Sequence, residues 1–146
     1  TSMFDLETRK NNTNNLLDFL TKILKNFSDK PEISGLLVFT FHWLCLGIPL
    51  IQIGVGKINN LFYLSCFVWI LIFIFHIYFN GCILTRLERK LWDTNEWYGP
   101  WCFLFKTVEL YYDNNKISRN FANNTFYCWG IFLSVYAIVR VLYHTR

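Results

Sequence analysis

The sequence predicts an all-α membrane protein: three transmembrane helices, an N-terminal amphipathic helix, and an interfacial or re-entrant segment between spans two and three. Three observations predict it. Apolar residues make up 53% of the 146 positions and aromatics 20%, against 16% charged. The charges avoid three long stretches, where a soluble chain of this size would interleave polar positions to cover its outside. Each stretch also has about the 20 residues that a helix needs to cross a ~30 Å hydrocarbon layer.

Residues 1–32 comprise a polar arm and an amphipathic helix. The arm, residues 1–15, is expected to be partly disordered. Leu16, Leu17, Phe19, Leu20, Ile23, Leu24 and Phe27 then recur at helical spacing, with Asp18, Lys22 and Lys25 on other faces. That pattern predicts a helix of about three turns lying in the interface, ended by Pro31. Its polar start is unlike a cleavable signal peptide, so the first span itself is expected to direct insertion.

Residues 33–84 form a transmembrane hairpin: span one over Ile33–Val55, span two over Leu61–Leu84, and a short connection at Gly56–Asn60. Residues 85–124 hold an interfacial helix and an aromatic segment. The run from Trp97 to Phe105 is too short to cross and is closed by Lys106 and Glu109, so it predicts an interfacial or re-entrant stretch rather than a fourth span. Residues 125–146 supply the third span, Thr125–Tyr143, and a short tail.

Basic residues set the expected orientation. Eleven Lys and Arg lie in the N-terminal arm and the 85–124 segment, against three (Lys57, Arg140, Arg146) on the other side. This bias places the N-terminus on the cytoplasmic or equivalent side. The net charge of +4 is accounted for by such topology and headgroup contacts, with no nucleic-acid partner implied. Fourteen Asn with abundant Phe, Ile, Lys and Tyr indicate an AT-rich coding sequence, as in some large DNA viruses, protists and organelles. The sequons at Asn11, Asn26 and Asn123 are therefore expected by chance. Five cysteines without a CxxC pair argue against a disulfide framework or a zinc site and for buried thiols acting as small hydrophobes.

His42 and His76 are the most suggestive residues. In an antiparallel hairpin both imidazoles fall at similar depth, and intramembrane ionisable groups usually face a partner or a cavity. His42, Cys45, Pro49, Gln52 and Gly56 share one stripe of span one; Ser65, Trp69, Ile72, His76 and Asn80 share a face of span two. One reading is a bis-imidazole haem or metal site. The more economical one is an interhelical hydrogen-bond network of His42, His76, Asn80 and Gln52, since only two ligands are visible. A gating role for the histidines lies between the two.

Thr85-x-x-Glu88 has the form of a capping box, which explains Glu88 without a catalytic role. Leu87, Leu91 and Trp92 beside Arg86, Arg89 and Lys90 then give a short surface helix, after a break near Asn80-Gly81. The string His76-x5-Cys82-Ile-Leu-Thr85-x2-Glu88 resembles the His…Cys-x-Leu-Thr-x-x-Glu signature of small multi-pass membrane proteins of bacteria, and similar strings in membrane proteins of large DNA viruses. Ile83 stands where bacterial members usually have Pro. The resemblance covers about a dozen residues and implies a shared hairpin-and-elbow architecture, with no settled activity attached. Arg140, inside the third span, is expected to snorkel to the headgroups.

The sequence thus predicts a non-enzymatic integral membrane protein, a structural subunit or a small oligomeric channel, whose partners are membrane lipids and further copies or other subunits. Its structural or gating polar face comprises His42, Cys45, Gln52, His76, Asn80, Thr85, Glu88 and Arg140. The alternative is a haem- or metal-binding redox protein using His42 and His76.

Overall fold

The computed structural model describes residues 5–107 and 115–145. Its elements are helices: α1 (Leu6–Lys25), α2 (Pro31–Val55), α3 (Asn60–Tyr78), α4 (Ile83–Leu91), α5 (Pro100–Thr107) and α6 (Asn115–His144). Among the described residues, three are long and apolar enough to cross a membrane: α2, α3 and the Arg119–His144 part of α6.

Local chemistry sets the boundaries. Pro31 does not end α1; it opens α2 at the first helical position, where its missing N–H costs nothing. The Asn59 side chain caps α3 by accepting from the Phe62 amide at 3.1 Å. The expected second span ends early, at Tyr78 rather than Leu84, because Asn80 turns left-handed (φ 50°). The Gly81 amide then bonds back to His76 O and the Asn80 amide to Ile77 O, a Schellman closure that stops the helix. Cys82 follows as the N-cap of α4, so the chain turns within three residues.

α2 and α3 pack as the antiparallel hairpin, with α6 against both. Ile53, Phe62, Trp69, Phe126 and Leu133 are buried between them. A second cluster joins α1, α2 and α4 through Leu17, Val38 and Leu87. α1 and α4 are too charged for hydrocarbon, so this cluster assembles by ordinary hydrophobic burial, about 1.5–3 kcal/mol for each fully covered Leu. The same packing makes helical the part of the expected, partly disordered arm from Leu6 onward. Helix α1 begins at Leu6 because tertiary contacts hold its polar first half: Asn12 donates to the Tyr78 hydroxyl at 3.0 Å and Arg9 to Tyr78 O. Further along, Asp18 pairs with Lys90 of α4.

Of the expected aromatic segment, α5 is eight residues long, about 12 Å, too short to cross a bilayer. Glu109 and the remainder of that segment to residue 112 lie outside the described residues. α6 starts ten residues before the expected third span, which brings Arg119 and Asn123 beside α3 and α4.

Candidate active site

Two elements bring an imidazole, a thiol and a carboxylate together: α2, and α4 with its N-cap. His42 projects from α2 with both ring nitrogens engaged. Nδ1 lies 2.8 Å from Glu88 Oε1 and Nε2 lies 3.2 Å from Cys82 Sγ. A carboxylate only accepts, so Nδ1 carries the proton that faces Glu88, and in the neutral pair Nε2 accepts from the thiol. His42 and Glu88 are both buried, Glu88 completely.

The capping box predicted at Thr85-x-x-Glu88 is corrected by this geometry. α4 begins at Ile83 with Cys82 as N-cap, so Thr85 is already inside the helix. Glu88 points away from the Thr85 amide and towards His42, and its Oε2 accepts from Trp97 Nε1. A buried carboxylate needs such donors, and two side chains from distant segments provide them. Trp97 is held in turn by Phe39 and Trp92, at 5.8 and 5.3 Å between ring centroids.

The thiol's surroundings favour its anion. Burial raises the Cys82 pKa, but adjacent His42 and hydrogen bonds from the Thr85 amide and hydroxyl outweigh it, leaving the thiol below its ordinary value. Gly99 closes the site from the side of the aromatic loop. Its φ of +76° suits glycine, and a Cβ there would sit 2.4 Å from Thr85 Oγ1 and 3.2 Å from His42 Cε1.

The site forms one wall of a cavity of about 660 Å³ between α1, α2, α3, α4 and α6. Its apolar lining includes Phe41, Leu46, Ile72, Phe75 and Phe126; Cys45, His76, Asn80 and Thr85 also reach it. Comparison with family models, with curated proteins and with solved structures finds no match of any kind.

The other sequence-predicted residues are distributed as follows. His42 and His76 line the same cavity, but His76 bonds to Asn123 Oδ1 of α6 at 3.3 Å and stacks on Phe126 at 4.1 Å. The expected network of His42, His76, Asn80 and Gln52 is replaced by these separate partners. Gln52 lies at the far end of the hairpin and donates to Lys57 O, while the Asn80 carbonyl accepts from Arg86 and Arg119. Arg140 has partners within the chain. Its guanidinium donates to Ile53 O and Gly56 O, both at 2.7 Å, and covers the Phe62 ring. It therefore satisfies the last carbonyls of α2, a role beyond the headgroup anchoring expected of it. Among the described residues no three His, Cys, Asp or Glu side chains gather as a metal site.

Sequence reasoning missed Cys82 as a site residue, and with it Trp97, Gly99 and Asn123. The resembling string did contain Cys82, Thr85 and Glu88. What it lacked was His42, 40 and 46 residues away from the two groups it joins.

Proposed function

We propose that this chain is an integral membrane enzyme of acyl transfer, with Cys82 as nucleophile, His42 as general base and acid, and Glu88 as the residue that orients His42. One observation carries the reading: His42 joins a thiol and a buried carboxylate through its two nitrogens on the wall of an apolar cavity. Nucleophile bonded to base, and base bonded to orienter, is the arrangement that activates a weak nucleophile. A purely structural lock would need His42 and Glu88 but no thiol at the cavity wall.

The steps follow from the geometry. The Cys82 proton passes to His42 Nε2 as sulfur attacks the carbonyl carbon of an ester or thioester. Cys82 lies at the N-terminus of α4, where the first-turn amides of Ile83 and Leu84 lack intrahelical acceptors and supply donors for the carbonyl oxygen as it becomes negative. The tetrahedral adduct collapses, the bond to the leaving group breaks, and His42 returns the proton to the departing oxygen or sulfur. The acyl group is left as a thioester on Cys82. Water or an acceptor hydroxyl then attacks, giving its proton to His42, and the thiol is regenerated.

The three apolar helices and the joint packing of α1 and α4 support a membrane-spanning chain with the N-terminus and the site on the same, cytoplasmic or equivalent, side. The subunit or channel reading rests on exposed apolar faces that lipid covers equally well. Bis-imidazole ligation of haem would require Cys82 or Glu88 to give up its place on His42.

Incubating the purified protein with a medium-chain p-nitrophenyl ester tests the proposal. The expected result is one acyl adduct on Cys82 by intact mass and peptide mapping, removed by neutral hydroxylamine and absent in Cys82→Ser. Exposed Cys128 is the internal reference. Acylation of Cys128 at the same rate as Cys82, or undiminished labelling of Cys82 in His42→Ala, would overturn it.

A further inference from the structure

We infer that the cavity binds a phosphate-bearing lipid, its acyl chain among the apolar side chains and its phosphate on Arg86 and Arg119. The inference rests on the acyl-transfer reading only in making that lipid the acyl donor; the binding itself does not need Cys82.

The charges of the cavity point to an anion. Lys10, Arg86, Arg89 and Arg119 all line it, and among the described residues no Asp or Glu does. Arg86 Nη2 donates to Phe79 O at 2.8 Å and to Asn80 O at 3.1 Å, and Arg119 Nη2 reaches the same Asn80 oxygen at 3.4 Å. Two guanidiniums from different helices therefore share one neutral acceptor. A carbonyl oxygen offsets little of their mutual repulsion, whereas a phosphate placed across both would form charge-assisted bonds to each. Burial first, and then the neighbouring Arg119 and Arg89, push the Arg86 guanidinium below its ordinary value. An anion at this place would reverse the contribution of the charges.

The rest of the cavity selects an amphiphile. A soluble phosphate ester would leave Leu46, Ile72, Phe75 and Phe126 facing an empty apolar volume, while an acyl chain covers them. About 660 Å³ is ample for most of one chain and small for two whole lipids. Cys82 lies on the same wall as Arg86, so a lipid held by its phosphate would present its ester near the thiol.

The test uses Cys82→Ser in neutral detergent, where no thioester can form, and native mass spectrometry as readout. Phosphatidylglycerol, diacylglycerol and glycerol phosphate are the probes. The expected result is retained phosphatidylglycerol, with neither diacylglycerol retained nor equimolar glycerol phosphate displacing it. Arg119→Gln should weaken retention about tenfold, the loss of one charge-assisted contact. Arg119 is chosen over Arg86 because Arg86 also holds the end of α3. Ala122→Trp, which fills the cavity and changes no charge, should also abolish retention. Equal retention of diacylglycerol, displacement by equimolar glycerol phosphate, or unchanged retention in both variants overturns the inference. Each of these outcomes leaves the Cys82 labelling result standing, and failed labelling leaves lipid retention standing.

Discussion

Glu88→Gln isolates the orienting role of the carboxylate, because it preserves volume and shape. Trp97 Nε1 only donates, so the glutamine oxygen must face Trp97 and its NH₂ must face His42. Nδ1 can meet an NH₂ only as an acceptor. The imidazole proton then moves to Nε2, where it points at Cys82 Sγ, and His42 can no longer take the thiol proton. Holding a catalytic imidazole in the wrong tautomer costs about 10⁴-fold in turnover, or ~5.5 kcal/mol of transition-state stabilisation. The cost in folding is far smaller, ~1–1.5 kcal/mol, the difference between charge-assisted and neutral hydrogen bonds.

The assay is the rate of Cys82 alkylation by iodoacetamide against pH, alongside the rate of acyl-thioester formation. In wild type the alkylation curve should have its midpoint below that of an ordinary thiol, since a lowered pKa gives thiolate at lower pH. In Glu88→Gln the midpoint should move up and acylation should fall by about three to four orders of magnitude. A variant that folds and keeps both the wild-type profile and the wild-type acylation rate would refute the role of Glu88. Glu88→Ala is the structural comparison: it strands His42 and Trp97 donors, at ~1–3 kcal/mol each, and should be visibly less stable.

Three further outcomes follow from the packing. Gly35→Ala should destabilise the α2–α4 contact by ~1–3 kcal/mol, because its Cβ would fall 2.1 Å from Trp92 Nε1; an unchanged unfolding midpoint in detergent would count against this close approach. Arg140→Met removes both bonds to the end of α2 and should cost ~2–4 kcal/mol in detergent, whereas a residue that only anchors to headgroups would show no loss there. Gly99→Ala should lower Cys82 acylation more than tenfold through its left-handed φ and the clash with Thr85, and acylation equal to wild type would exclude Gly99 as a wall of the site.

How much was legible in the sequence differs by the kind of force involved. The three long apolar helices were legible because hydrocarbon would demand an unbroken apolar run, and the break at Asn80-Gly81 because few residues tolerate positive φ. The start of α1 was not, since Asn12 and Arg9 gain order only from Tyr78, 66 and 69 residues away. Glu88 was misassigned because a Thr-x-x-Glu spacing has a sufficient local explanation, and nothing local distinguishes a carboxylate that caps its own helix from one that binds His42. Asn123 was hidden by composition: in a chain with fourteen Asn, one that faces a histidine carries no mark.

The dispersal of the site has a physical reason. A thiol, an imidazole and a carboxylate on one membrane-spanning helix would each need a partner during insertion, and isolated ionisable groups in hydrocarbon are expensive. Of the three, only His42 lies within a helix long and apolar enough to cross a membrane. Cys82 sits after the Schellman turn that ends α3, and Glu88 lies on the short basic helix beyond it. The carboxylate meets His42 only when α4 folds back against α2, and Trp97 and Gly99 then cover it. The polar chemistry therefore depends on the packing of α4 against α2, which the close approach of Gly35 to Trp92 permits. On this logic a mutation at the elbow should abolish Cys82 activation while leaving the three-helix bundle intact, a separation that a subunit or channel built from the spans alone would not show.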